Sequence, residues 1–140
     1  MSRVLHIPRA MVEELKVVAE AGTPLEVCAL LAGKGNRIER VYPMTNADAS
    51  ADHFTMVPAE QFAAIKAMRT DSLRMLAVWH SHPATPARMS QEDLRLAYTP
   101  DVAYMITSLA VADGESLCGY DVEDGIPRQI QIVIEDRAHE

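Results

Sequence analysis

A chain of 140 residues, 49% apolar and 24% charged, is long enough to bury one core and too apolar to remain disordered, so a single domain over 1–140 is expected. Its formal net charge of −7, with no block of lysine or arginine, argues against phosphate-backbone binding and hence against nucleic acid as the main partner. The N-terminus has no apolar signal core, and no run approaches the ~18 apolar residues of a spanning helix, so a soluble, cytoplasmic protein away from membranes is expected.

In chain order, residues 3–7 predict a short strand. Residues 8–21 predict a helix opened by Pro8, with Met11, Leu15 and Val18 on one face. The apolar run 26–33 has the length of a buried strand, and "GKGN" turns it into an alternating strand over 37–44. A loop over 45–52 and a short strand over 53–56 follow. The spacing then predicts a helix over 58–69 with Phe62, Ile65 and Met68 or Arg69 on one face, and a strand over 73–80. Past a loop, 90–98 reads as a helix ended by Pro100, and 103–110, 116–122 and 128–134 read as strands divided by "DGE" and "EDG" turns. The fold class is α/β, a mixed sheet flanked by helices. With aromatics at only 5%, its core must come from aliphatic residues and methionine.

Cys28 and Cys118 form no CxxC pair, and Cys28 lies inside the buried run, so structural thiols in a reducing compartment are expected.

The stretch "HSHPATPARMSQED" holds the chemistry. Alternation on a strand turns His80 and His82 to one side and Ser81 and Trp79 to the other. Two imidazoles on one side of a strand end can hold a metal, and a catalytic zinc takes three protein ligands plus water. Asp93 is the candidate third ligand, on the first turn of a helix. Ser90-x-x-Asp93 is also a capping box, and the two readings are compatible. A hydrolytic site further needs a base beside the metal water and a donor for the developing oxyanion. Glu26, at the head of a buried strand, is the candidate base, and the Ser90 hydroxyl the candidate donor. The plainer alternative for Glu26 is a solvated strand start. His6, His53 and His139 have no metal-like spacing, and Ser108 is a candidate neighbour of the site.

Glu26 at the start of "EVCALLAG", then His80-Ser81-His82-Pro83 and, after seven intervening residues, Ser90-Gln91-Glu92-Asp93, resembles the JAMM/MPN+ metalloprotease signature in its bacterial short-chain branch. "NADAS", "HFTMVPAEQF" and "VAYMITSL" extend the resemblance over most of the chain. The resemblance implies a fold similar to that of cytidine deaminases and one zinc ion per chain on His80, His82 and Asp93. It also implies Glu26 as general acid/base and Ser90 as oxyanion donor. Such proteins cleave amide or isopeptide bonds after the C-terminal Gly-Gly of ubiquitin-like proteins. The short branch implies a ubiquitin-like sulfur-carrier protein as substrate rather than ubiquitin, whose tail is gripped by insertions that this chain has little room for. Ala29 departs from the glycine of many bacterial members, without removing a catalytic group. The oligomeric state stays open, a homodimer included.

Two other classes compete. A zinc deaminase needs His-x-Glu and Pro-Cys-x-x-Cys, and this chain has His82 and no such cysteine pair. A non-catalytic MPN-type scaffold would have lost ligands that are all present here.

Overall fold

The two most apolar runs of the sequence become neighbouring central strands. In the computed structural model, which describes residues 3–111 and 116–136, they are β2 (Cys28–Lys34) and β4 (Arg74–His82), paired antiparallel with Cys28 opposite His80. Both are buried along almost their whole length, because helices cover both faces of the sheet. The other elements are β1 (Val4–Pro8), α1 (Arg9–Gly22), β3 (Arg37–Met44), α2 (Pro58–Thr70), α3 (Gln91–Arg95), β5 (Ala103–Ser108), β6 (Leu117–Glu123) and β7 (Ile126–Glu135).

The mixed sheet expected from the sequence is present, and it closes into a barrel in the order β1-β3-β2-β4-β5-β6-β7. Closure comes from β1, which lies parallel to both β7 and β3, with the β3 side resting on His6 opposite Arg37. Strand alternation then separates two cores. Trp79 and Ala77 of β4 point into a cluster with Leu5, Ile7, Leu31 and Met105, covered by Leu15 and Ala19 of α1. Val78 points the other way, toward Leu30, Tyr104 and the inner face of α2. His80 and His82 share the side of Val78, so the histidine pair opens on the α2 side of the sheet. Trp79 is fully buried, and its indole N–H donates to Thr107 Oγ1 at 2.9 Å.

Several sequence expectations need correction. Residues 53–56 form no strand; only Met56 bridges to Asn46. The inward face of α2 is Ala64 and Met68, while Phe62 is 70% exposed, one helical step away from the buried stripe. The helix after the histidines is a single short turn, α3, rather than 90–98. β4 runs on to His82, and β2 begins only at Cys28, so Glu26 precedes its strand. The "GKGN" and "EDG" turns are found as expected, with Gly35 and Gly125 at positive φ; the "DGE" turn lies outside the described residues.

Gly33 sits where the β2 register shifts against β3, and a Cβ there would lie 1.8 Å from the Arg37 carbonyl oxygen. Backbone must move to admit it. Gly33→Ala is therefore expected to cost about 3 kcal/mol, read as a lowered urea midpoint at unchanged m-value.

Candidate metal centre

Three side chains converge at the mouth of the sheet. His80 Nε2 and His82 Nε2 are 3.1 Å apart; Asp93 Oδ2 lies 3.0 Å from His82 Nε2, and Asp93 Oδ1 3.3 Å from His80 Nε2. All three residues are buried. The strand supplies both imidazoles, and α3 supplies the carboxylate from its first turn.

The capping box is also complete. Asp93 N–H donates to Ser90 Oγ at 3.0 Å, and Ser90 N–H donates to Asp93 Oδ2 at 3.0 Å. The cap thus aims the carboxylate toward the two imidazoles, so the capping role of Asp93 leaves it free to act as a ligand. Ser90 is exposed at the rim. Accepting the cap bond occupies a lone pair and leaves its O–H free to donate.

Proton placement suits the triangle to a cation. His82 Nδ1–H donates to the Pro86 carbonyl at 2.8 Å, so neutral His82 presents its Nε2 lone pair toward Asp93. A lone pair and a carboxylate oxygen 3.0 Å apart repel unless a proton or a metal ion lies between them. Burial lowers the His82 pKa, but Asp93 and the Pro86 carbonyl outweigh it, and the net direction is upward. Burial likewise pushes Asp93 up, yet hydrogen bonds from His80, His82 and Ser90 hold it well below the ordinary carboxylate range. His80 is lowered, mainly by burial. Zinc bonds of about 2.0–2.1 Å in a tetrahedron set donor atoms roughly 3.3–3.4 Å apart, close to the triangle found here. The donor set fits such an ion.

Glu26 completes the cluster. It is 3% exposed, its Oε1 has no hydrogen-bond partner among the described residues, and burial raises its pKa from 4.5 to about 8. Atoms of Glu26, His80 and His82 also lie within 4.8 Å of one another, an alternative ligand trio. We favour Asp93 over Glu26 as the third ligand. Asp93 stays ionised and makes the shorter contacts, whereas Glu26 holds its proton near neutrality, which suits acid/base work.

The Glu26 position is fixed by groups that sequence reasoning missed. Val27 N–H donates to Ser81 Oγ at 2.9 Å, and Ser81 N–H to the Val27 carbonyl at 3.0 Å, zipping this segment to the end of β4. Glu26 N–H donates to the Ser50 carbonyl at 2.8 Å. Asn46 Nδ2 donates to the carbonyls of Glu26 and His53, both at 3.0 Å, while its Oδ1 accepts from Asp48 N–H and Thr55 N–H. The available signal was an asparagine opening a polar loop, where Asx turns form. Beside His80 and Asp93 a cavity of about 130 Å3 is lined by Phe54, Met56, Met89, Leu96 and Tyr104. The Phe54 ring centre lies 4.7 Å from that of His80.

The remaining expectations sort simply. His6 pairs with Glu135, and His53 sits among Asp48, Asp52 and Ser50 in its own loop; His139 lies outside the described residues. Cys28 is a buried thiol raised to about 12, mainly by burial. Ser108, the candidate neighbour of the site, is buried opposite His82 in the β4–β5 ladder and donates to the Thr85 carbonyl in the loop that follows His82.

Comparison with known proteins fits this geometry. Residues 8–117 match the family model described as prokaryotic homologs of the JAB domain. The CysO-cysteine peptidase of Mycobacterium tuberculosis is 34% identical over 124 residues, covering 87% of this chain and 85% of that protein. A probable TtuB-protein conjugate cleaving protease of Thermus thermophilus is 35% identical over 95 residues, 67% of this chain and 64% of that one. Among solved structures, protein DSY2949 from Desulfitobacterium hafniense superposes with a TM-score of 0.85 at 37% identity, over 96% of this chain and 94% of that one.

Proposed function

The chain belongs to the prokaryotic JAB-domain family, and from that premise we propose that it is a zinc peptidase acting on the C-terminal tail of a small ubiquitin-like sulfur-carrier protein. The bond cut is the amide or isopeptide bond after the tail's terminal Gly-Gly. Relatives named for cleaving a protein–cysteine adduct and a protein–protein conjugate support this substrate class. The observation that carries the reading is three buried electron-pair donors converging beside a buried carboxyl that has no partner at Oε1.

His80, His82 and Asp93 would hold the ion, one per chain. Bound there, zinc supplies a water made acidic enough to give up a proton near pH 7. Glu26 takes that proton at its carboxylate and hands it to the departing nitrogen, which leaves as a neutral amine. Ser90 O–H donates to the scissile carbonyl oxygen as negative charge builds on it. The buried positions of Glu26 and His82 keep bulk water from competing for these protons. No helix among the described residues is long and apolar enough to cross a membrane, and a reducing cytoplasm suits the buried Cys28 thiol.

The purified protein is expected to carry about one zinc per chain by elemental analysis, set by the three-donor site of His80, His82 and Asp93. A carrier–Gly-Gly–amino-acid conjugate should be cleaved, with activity lost to a chelator and restored by zinc. Failure to cleave any such conjugate with zinc bound would overturn the reading, and preference for ubiquitin conjugates would correct the substrate.

Ser90→Gly separates cap from chemistry. Glycine replaces a serine cap at a cost of only a few tenths of a kcal/mol. Turnover should fall roughly a hundred-fold at nearly unchanged melting temperature, since one oxyanion donor is lost. Wild-type turnover in this variant would remove Ser90 from the reaction.

A further inference from the structure

The loop over 83–89 joins the histidine pair to Ser90 and Asp93, and it is poorly equipped to hold its own shape. Pro83 and Pro86 offer no N–H, and its internal backbone bond is Arg88 N–H to the Pro86 carbonyl. Its conformation instead comes from below. Three consecutive carbonyls are taken by side chains of three adjacent strands. Ser108 Oγ of β5 donates to Thr85 at 2.7 Å, His82 Nδ1 of β4 to Pro86 at 2.8 Å, and Tyr120 OH of β6 to Ala87 at 2.6 Å.

We propose that Ser108 and Tyr120 are positioning residues that, together with His82, clamp this loop and so fix the distance between the histidine ligands and the Ser90–Asp93 cap. The proposal rests on the metallopeptidase reading of the site. Neither hydroxyl is free to swing. Ser108 Oγ accepts from Ala110 N–H at 3.0 Å, which directs its own proton to Thr85. Ser108 also stands opposite His82 in the β4–β5 ladder, at the point where the loop leaves the sheet. The Tyr120 ring packs with Ala87 and Ile106 in a cluster of its own, so its hydroxyl cannot follow a shifted loop. Burial pushes its phenol up to about 12, and it stays a donor through the neutral range.

The clamp acts at both ends of the site. At one end the Pro86 carbonyl, held in place, selects the His82 tautomer whose Nε2 faces Asp93. At the other, Ser90 can cap α3 and aim Asp93 only if the chain arrives at the right height. Groups that orient ligands in this way typically tune metal affinity or activity by roughly ten- to a hundred-fold.

Ser108→Ala, Tyr120→Phe and the double variant test this, since each removes one hydroxyl and little volume. Ile7→Val, a core truncation on β1, serves as a control for stability loss alone. Zinc affinity by chelator competition should weaken roughly ten- to a hundred-fold in the clamp variants. Backbone amides over 90–93 should exchange hydrogen faster, and kcat at saturating zinc should fall more than KM changes. The control should lower the melting temperature and leave zinc affinity and exchange over 90–93 unchanged. Clamp variants that merely melt earlier, like the control, with wild-type zinc affinity, exchange and kcat, would overturn the proposal. If the wild type binds zinc but cleaves no carrier conjugate, the peptidase reading fails, and affinity and exchange still decide the clamp.

Discussion

Glu26→Gln is expected to abolish turnover, keep the metal, and make the metal-free protein more stable. Loss of the group that moves the proton should lower kcat by roughly a hundred- to ten-thousand-fold. The donors of His80, His82 and Asp93 proposed to hold zinc are untouched, so zinc content should not change. The stability gain follows from the raised pKa. A carboxyl whose pKa rises from 4.5 to about 8 on folding costs nothing below pH 4.5, and destabilises progressively as the pH climbs through 8. At about 1.4 kcal/mol per unit the cost reaches on the order of 3–5 kcal/mol. Glutamine fills the same space without the ionisation. Urea titrations of chelated protein at pH 5 and pH 8 should give nearly equal stabilities for the two proteins at pH 5 and a clear advantage for the variant at pH 8. Normal turnover in the variant would remove Glu26 from its role; equal stabilities at pH 8 would mean that the carboxyl is not desolvated. With a dication bound alongside, the same carboxyl titrates nearer neutrality, where a base exchanges protons most effectively. The destabilising burial and the chemistry therefore share one cause.

The site was legible in the sequence to the extent that it is built from local periods. Strand alternation put His80 and His82 on one side and Trp79 on the other, and the serine–aspartate spacing announced both the cap and the direction of the Asp93 carboxylate. Those rules involve neighbours within a few residues, where covalent geometry leaves few choices. What the sequence did not disclose depends on partners far along the chain. Barrel closure needs β1 to lie between β3 and β7, a pairing that no short pattern encodes. The α2 face was misjudged because Phe62 and Ala64 differ by two positions on a helix whose inward side is chosen by the sheet beneath it. Residues 53–56 look like a strand by composition but spend their backbone groups on the Asn46 loop. The clamp beneath the loop was only half visible for the same reason: Ser108 stood out as a neighbour of the site, but it and Tyr120 lie 23 and 33 residues from the carbonyls they hold.

Asp93→Asn gives the sharpest test of how charge and cap are shared in one side chain. Asparagine keeps the shape, and its carbonyl oxygen can still accept from Ser90 N–H, so α3 should remain capped. It supplies no charge to a cation, and zinc affinity should fall by at least roughly a hundred-fold, with turnover lost at ordinary zinc concentrations. The metal-free proteins should differ with a definite pH dependence. In the wild type Asp93 raises the His82 pKa, so this pairing stabilises the fold at low pH and is lost as the pH rises through the raised value. Asparagine removes the pairing. The variant should then be less stable than the wild type at pH 6, by about 1.5–3 kcal/mol for a charge-assisted bond. By pH 9 the order should narrow or reverse. There His82 is neutral, its Nε2 lone pair faces the wild-type carboxylate, and the asparagine amide can donate to it instead. A constant difference across that range would mean that His82 carries no proton toward Asp93. The same proton must leave when zinc enters, so wild-type zinc affinity should rise with pH up to the His82 pKa and level off above it.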